Sequence, residues 1–211
     1  MFEINNKNFI QYEINGTTVY EIQDFYKYPD KIVEFISDVL PEFHNANQYP
    51  SLNGYQFEDL RHHCQVIGMS EVSRFLSNIC KQQNENGENI FNTNIFKFLD
   101  KNFNKYNDSY WWPHKDSGYT ALIYLNHFSY PGTNLYTSFV GESQGPEHYT
   151  PWQPKSNYKL EKTLYAEYNK LVLFDGLSNY HSMAITDDCF CGNYRLNQVI
   201  FFKEEDPQIK I

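Results

Sequence analysis

The sequence predicts a mainly β domain of the α+β class, with helices from the N-terminal half packed on an antiparallel sandwich or barrel formed by the second half. Three observations carry this reading. Aromatic residues make up 18% of the chain, chiefly 18 Tyr and 17 Phe, and such side chains favour half-buried strand faces. Four β-rich runs follow one another after residue 118, separated by turn-forming residues. Two stretches before residue 83 carry apolar residues at helical spacing instead.

Gly16 to Ile22 (GTTVYEI) reads as a short strand. Pro29 to Leu40 (PDKIVEFISDVL) reads as a helix: Pro and Asp suit its first turn, and Ile32, Phe35, Ile36 and Val39 form one stripe. Ser70 to Gln82 reads as a second helix, N-capped by Ser70, with Val72, Phe75, Leu76 and Ile79 at i, i+3, i+4 and i+7. The β-rich runs are Tyr119 to Leu125, Leu135 to Val140, Leu171 to Phe174 and Tyr194 to Phe202. Ser117-Gly118, Pro131-Gly132, Asp175-Gly176 and Gly192-Asn193 punctuate them. Between the second and third runs lies a polar insert, 141–168, long enough for a functional loop such as a lid.

At 211 residues and 25.1 kDa, one domain with its own hydrophobic core is expected. Residues 1–104 form its strand and helical support, 105–203 its β core, and 204–211 a tail. A net charge of -9 disfavours general attraction to nucleic acid or an anionic membrane. The N-terminus lacks a basic region followed by an apolar stretch, and no apolar run approaches the roughly 20 residues a membrane helix needs. Four Cys are too few for a secreted disulfide scaffold. A cytoplasmic protein is expected.

Candidate chemistry concentrates in the second half. On a strand, the i, i+2 spacing of His114 and Asp116 puts an imidazole and a carboxylate on one face. A third ligand from a distant strand, His181 being available, completes a two-His, one-carboxylate face with open positions, the geometry suited to non-haem Fe(II). With 7 His in 211 residues, chance alone supplies an HxD about 0.4 times, and a lone His is more often a packing residue. In YRLNQVIFF, alternation places Arg195, Asn197, Val199 and Phe201 on one face. An Arg leading an apolar face is costly unless an anion meets it, whereas at a strand end it pairs with surface carboxylates. Cys189-x-Cys191 and His62-His63-Cys64 lack the spacing of a zinc site. There is no Gly-rich phosphate loop, nucleophile elbow or HExxH. Of Trp111-Trp112, at most one would face the site.

Taken in order, His114-Lys115-Asp116, TALIYLN (120–126), PGTNLY (131–136), LVLFDGLSNYHSM (171–183) and YRLNQVIFF (194–202), preceded by VYEIQDFYKYPDKIVEFI (19–36), resemble the 2-oxoglutarate/Fe(II)-dependent dioxygenases of the prolyl-4-hydroxylase-like type. The resemblance spans roughly residues 17–203. It implies a double-stranded β-helix (jelly-roll or cupin-like) core and a hydroxylase using Fe(II), O2 and 2-oxoglutarate, with succinate and CO2 released. It implies His114, Asp116 and His181 as metal ligands and catalytic centre. Arg195 and Tyr124 are implied as partners of the far carboxylate of 2-oxoglutarate, with Leu122, Leu135 and Phe201 as apolar walls. Halogenating relatives replace the carboxylate ligand with a small residue; Asp116 is present here, which favours hydroxylation. The stretch between His181 and Arg195 is longer than in relatives and reads as an extended hairpin turned by Gly192-Asn193. The substrate is expected to be a small molecule or a protein side chain. The alternative is a non-catalytic β-sandwich binding module, or a cupin-like metal protein that does not use 2-oxoglutarate.

Overall fold

The computed structural model describes residues 1–45, 57–98, 110–111, 113–139, 153–184, 190 and 192–204. In chain order, the N-terminal half gives β1 (Ile10–Ile14), β2 (Thr17–Ile22), α1 (Pro29–Val39), β3 (His44–Asn45), β4 (Phe57–Gln65), α2 (Met69–Cys80), β5 (Gln83–Asn84) and β6 (Ile90–Phe98). The second half gives β7 (Tyr110–Trp111), β8 (Tyr119–Tyr124), β9 (Tyr130–Ser138), β10 (Gln153–Pro154), β11 (Tyr158–Ala166), β12 (Lys170–Asp175), β13 (Tyr180–Met183) and β14 (Arg195–Lys203).

The antiparallel main sheet runs β1-β2-β12-β8-β14-β6-β4-β3, with β5 on the far end of β14. A three-stranded antiparallel sheet, β11-β9-β13, lies over one face of it, and β7 pairs with β10. Each face of the main sheet borders a hydrophobic core. Ile32 and Ile36 of α1 and Val72 and Leu76 of α2 pack on Ile123, Leu173 and Ile200 on one side. On the other, Leu122, Val172, Phe174 and Val199 meet Leu135, Leu164 and Ala166 of the smaller sheet. Strands covered on both faces read as continuous apolar runs, which is why β8 (YTALIY) and β12 (KLVLFD) are legible without alternation.

Both helices form where the spacing predicts. Pro29 opens α1 with Asp30 in its first turn. The start of α2 differs from expectation: the helix begins at Met69 behind Gly68, and the Ser70 hydroxyl donates to the Ile67 carbonyl instead of capping. Lys81, in the left-handed region at φ 60°, ends it.

The N-terminal half is more than helical support. Among the described residues it supplies six strands to the main sheet, of which sequence pattern predicts only β2. The β1–β2 turn is Asn15-Gly16 with φ of 53° and 76°, the two-residue hairpin for which Asn-Gly is the sequence signal. β4 (FEDLRHHCQ) hides in the sequence because polar residues occupy both of its faces. The insert 141–168 is also corrected in its second half: residues 158–166 are strand β11, paired along β9. Leu164 and Ala166 of β11 face the core, while Lys and Glu mark an edge strand. Residues 141–152 lie outside the described residues, as do Trp112, Cys189 and Cys191; only the backbone of Trp111, in β7, is described. The expected extended hairpin between His181 and Arg195 falls largely on residues 185–189 and 191, which lie outside the described residues. The strands that flank it pair in different sheets, β13 with β9 and β14 with β8 and β6.

Candidate metal centre

His114 lies in a one-residue antiparallel bridge with His181, the two exchanging backbone hydrogen bonds of 3.0 and 2.9 Å. That pairing extends the smaller sheet past β13 and sets the two imidazoles side by side, ring centroids 4.5 Å apart. The Asp116 N–H then donates to the Gly176 carbonyl at 2.9 Å, so the chain after His114 is pinned to the turn that follows β12. No strand runs through Lys115, yet the i, i+2 pair still converges, because both ends of the tripeptide are tied to the segment carrying His181. One ligand atom from each of His114, Asp116 and His181 lies within 4.8 Å of the other two. His181 Nε2 stands 3.0 Å from one Asp116 carboxylate oxygen, and His114 Nε2 stands 3.7 Å from the other. Adjacent ligands at metal-bond length, about 2.1 Å, lie about 3 Å apart, so little contraction would seat an ion.

His181 and Asp116 are oriented from behind. His181 Nδ1 lies 3.1 Å from the Asn179 carbonyl. A carbonyl only accepts, so Nδ1 carries the hydrogen and Nε2 is left for a metal. Phe174 packs edge-on against the His181 ring at 4.9 Å. The Thr120 hydroxyl donates to the Asp116 carboxylate. Burial alone would raise the Asp116 carboxyl; His181, His114 and the Thr120 hydrogen bond outweigh it and hold the group well below the usual carboxylate range. Burial would lower the His181 imidazole, but the Asp116 charge and hydrogen bond raise it. Gly176 is required by space: a Cβ there would sit 2.8 Å from Thr120 Oγ1 and 3.0 Å from the Gly118 carbonyl.

A second group of residues lies along the same face of the main sheet. β8 and β14 are register neighbours, Asn197 opposite Tyr124 and Val199 opposite Leu122. The alternation expected for β14 holds: Val199 and Phe201 face the smaller sheet, Leu196 and Ile200 the helices. Arg195 is 5% exposed, its guanidinium 5.7 Å from the Tyr124 ring centroid. Arg195 Nη1 donates to the Asn197 side-chain oxygen, while Nε is buried with no hydrogen-bond partner. Tyr124 is fully buried with its hydroxyl 2.9 Å from Thr133 Oγ1. Burial raises its phenol, partly offset by Arg195. Gly132 lets this happen: a Cβ there would fall 2.7 Å from the Tyr124 ring and hydroxyl. Leu122, Leu135 and Phe201 all belong to the core on this face, Phe201 only partly buried.

A second buried cation shares the face. Lys170, opposite Tyr124 in the β12–β8 register, contacts Glu21 at 2.6 Å. Lys170 is thus neutralised within the protein, whereas no carboxylate among the described residues pairs with Arg195. His62, His63 and Cys64 alternate along β4 and form no metal-holding group among the described residues. Thr120, Thr133 and Asn179 are not recognisable as supports from sequence, because short polar residues inside apolar strands and turns carry no spacing signal. Gly132 and Gly176 stood out only as turn residues.

No protein-family model matches the chain, and no curated protein sequence matches it. Solved structures resemble it in outline. A prolyl-4-hydroxylase from Pseudomonas putida is 12% identical, with a TM-score of 0.49 over 89% of this chain and 92% of that one. An oxidoreductase of the 2OG-Fe(II) oxygenase family from Burkholderia pseudomallei is 11% identical, with a TM-score of 0.47 over 89% and 84%. Among the described residues, no helix is long and apolar enough to cross a membrane.

Proposed function

We propose that the chain is a non-haem Fe(II)- and 2-oxoglutarate-dependent oxygenase, built on a double-stranded β-helix core, that hydroxylates a C–H bond. The observation that carries this is the convergence of His114, Asp116 and His181, which supply two imidazoles and one carboxylate within 4.8 Å. Three protein ligands leave the remaining positions of an octahedral ion for reactants, and this donor set suits Fe(II). Bound iron and 2-oxoglutarate would supply the oxygen chemistry: one O2 oxidises the C–H bond to an alcohol and converts 2-oxoglutarate to succinate and CO2.

The protein's part is ligation, orientation and exclusion of water. His181 and Asp116 hold their ligand atoms inward through Asn179 and Thr120. Arg195 fits the far carboxylate of a 2-oxo diacid, since its guanidinium is buried with an unbonded Nε and, among the described residues, meets no carboxylate. Tyr124, its ring centroid 5.7 Å from the guanidinium, would share that carboxylate or form an apolar wall beside it. The apolar residues Leu122 and Val199 between Arg195 and the metal face keep the site dry, which strengthens each charged contact.

Anaerobic addition of Fe(II) and then 2-oxoglutarate should give a visible charge-transfer band, and admitting O2 should release succinate. His181→Ala should abolish iron binding. Arg195→Ala should retain iron while raising the 2-oxoglutarate requirement at least tenfold. An unchanged requirement in Arg195→Ala would remove 2-oxoglutarate from the assignment. Absence of iron binding in the wild type would remove the oxygenase reading altogether.

A further inference from the structure

The turn between β12 and β13 ties both halves of the metal centre, and one of its residues is anchored far outside the site. The Asp175 carboxylate accepts the N–H groups of Leu177 and Ser178 at 3.0 and 2.9 Å. Gly176 accepts Asp116 N–H, and the Asn179 carbonyl accepts the His181 ring hydrogen. The Asn179 side chain, 0% exposed, points the other way. Its amide nitrogen donates to Thr17 Oγ1 at 2.7 Å and to the Asp175 carbonyl at 3.0 Å, and its oxygen accepts from the Asn15 amide at 3.1 Å. The Thr17 hydroxyl spends its own hydrogen on the Ile14 carbonyl at 2.9 Å, so its oxygen is fixed as an acceptor. Asn15 lies in the tight β1–β2 turn and Thr17 directly follows it, more than 160 residues away in sequence. Both hydrogens of the buried amide are therefore used, and the peptide that orients His181 is held against a rigid hairpin.

We propose that Asn179 is a positioning residue for the metal: bonded to Thr17 and Asn15, it fixes the carbonyl that aims His181 Nε2 at the position facing Asp116. The inference rests on the metal reading of the site. A residue that only stabilised the turn would lower the melting temperature and leave the metal affinity of the folded protein unchanged. Groups that orient ligating histidines typically change metal affinity by about 10–100-fold.

The test uses Co(II), whose visible bands report ligand geometry, titrated at a temperature where circular dichroism shows each variant folded. Asn179→Ala should bind Co(II) about 10–100-fold more weakly, with shifted bands. Thr17→Val, which removes the acceptor and leaves Asn179 in place, should lose affinity in the same direction by a smaller factor. Thr17→Ser should keep wild-type binding. Wild-type affinity and spectrum in Asn179→Ala, whatever its melting temperature, would overturn the proposal. If Asn179→Ala does not fold, equal Co(II) affinity in Thr17→Val and Thr17→Ser overturns it instead. A wild type that ignores Co(II) would remove the metal reading and this inference together, whereas a wild type that binds it no better than the variants removes the inference alone.

Discussion

Arg195 and Lys170 show how differently two buried cations on one sheet face are treated. Lys170 has Glu21 at 2.6 Å; Arg195 has an asparagine oxygen and an unbonded Nε. Replacing a poorly compensated buried charge with an apolar side chain of similar volume is often neutral or stabilising. Arg195→Met should therefore leave the melting temperature of the ligand-free protein unchanged or raised, while abolishing any further rise on adding 2-oxoglutarate to the metal-loaded form. Differential scanning fluorimetry reads both; a large loss of ligand-free stability would mean that Arg195 serves the fold. The place of Arg195 was legible from parity, since Val199 and Phe201 carry the same face. Its bond to Asn197 was not, because alternation says which way a side chain points and nothing about which polar neighbour it meets. The same limit hid Thr120 beside Asp116.

At the scale of elements, the β2–β12 contact is stitched by Glu21, Lys170 and Tyr12, whose hydroxyl donates to the Glu21 carboxylate. Burial alone would raise the Glu21 carboxyl, but the hydrogen bonds from Lys170 and Tyr12 and the Lys170 charge lower it. A depressed carboxylate contributes stability above its unfolded value, about 4.3, and that contribution is lost as pH falls through the folded value. Glu21→Gln leaves the Lys170 ammonium only the part-exposed Glu167 carboxylate at 3.4 Å. It should cost about 1–3 kcal/mol at neutral pH and flatten the acid limb of the stability curve, both measurable by urea unfolding across pH. Gly132→Ala, which drives a methyl into Tyr124 and the Leu164 carbonyl, should cost about 1–3 kcal/mol. Helices α1 and α2, strands β8, β12 and β14 and the second half of β9 were legible because their burial is strong and regular. β9 begins at Tyr130, so Pro131-Gly132 lies within the strand and is not the expected turn. β4 and β11 were not: each lies near a sheet margin where polar residues suffice, and β4 shows no clean two-residue apolar period.

For the whole molecule, the metal face joins segments 65 residues apart or more, so only the folded chain can present it. A ligand bound at 100 times its dissociation constant adds about 2.7 kcal/mol, or roughly 5–10 °C for a chain of this size. Metal alone should raise the melting temperature, and metal with 2-oxoglutarate should raise it further. A rise of equal size with 2-oxoglutarate alone would contradict a cosubstrate chelated to the ion. Strand order has another consequence. β2 pairs with β12 and β6 with β14, so each early strand finds its long-range partner in the last third of the chain. Residues 1–104 expressed alone should lack dispersed amide NMR signals. On the ribosome, the amphipathic faces of α1 and α2 and the unpaired edges of β2 and β6 must wait until β14 has been synthesised, leaving them exposed to chaperones or to misassociation through most of translation.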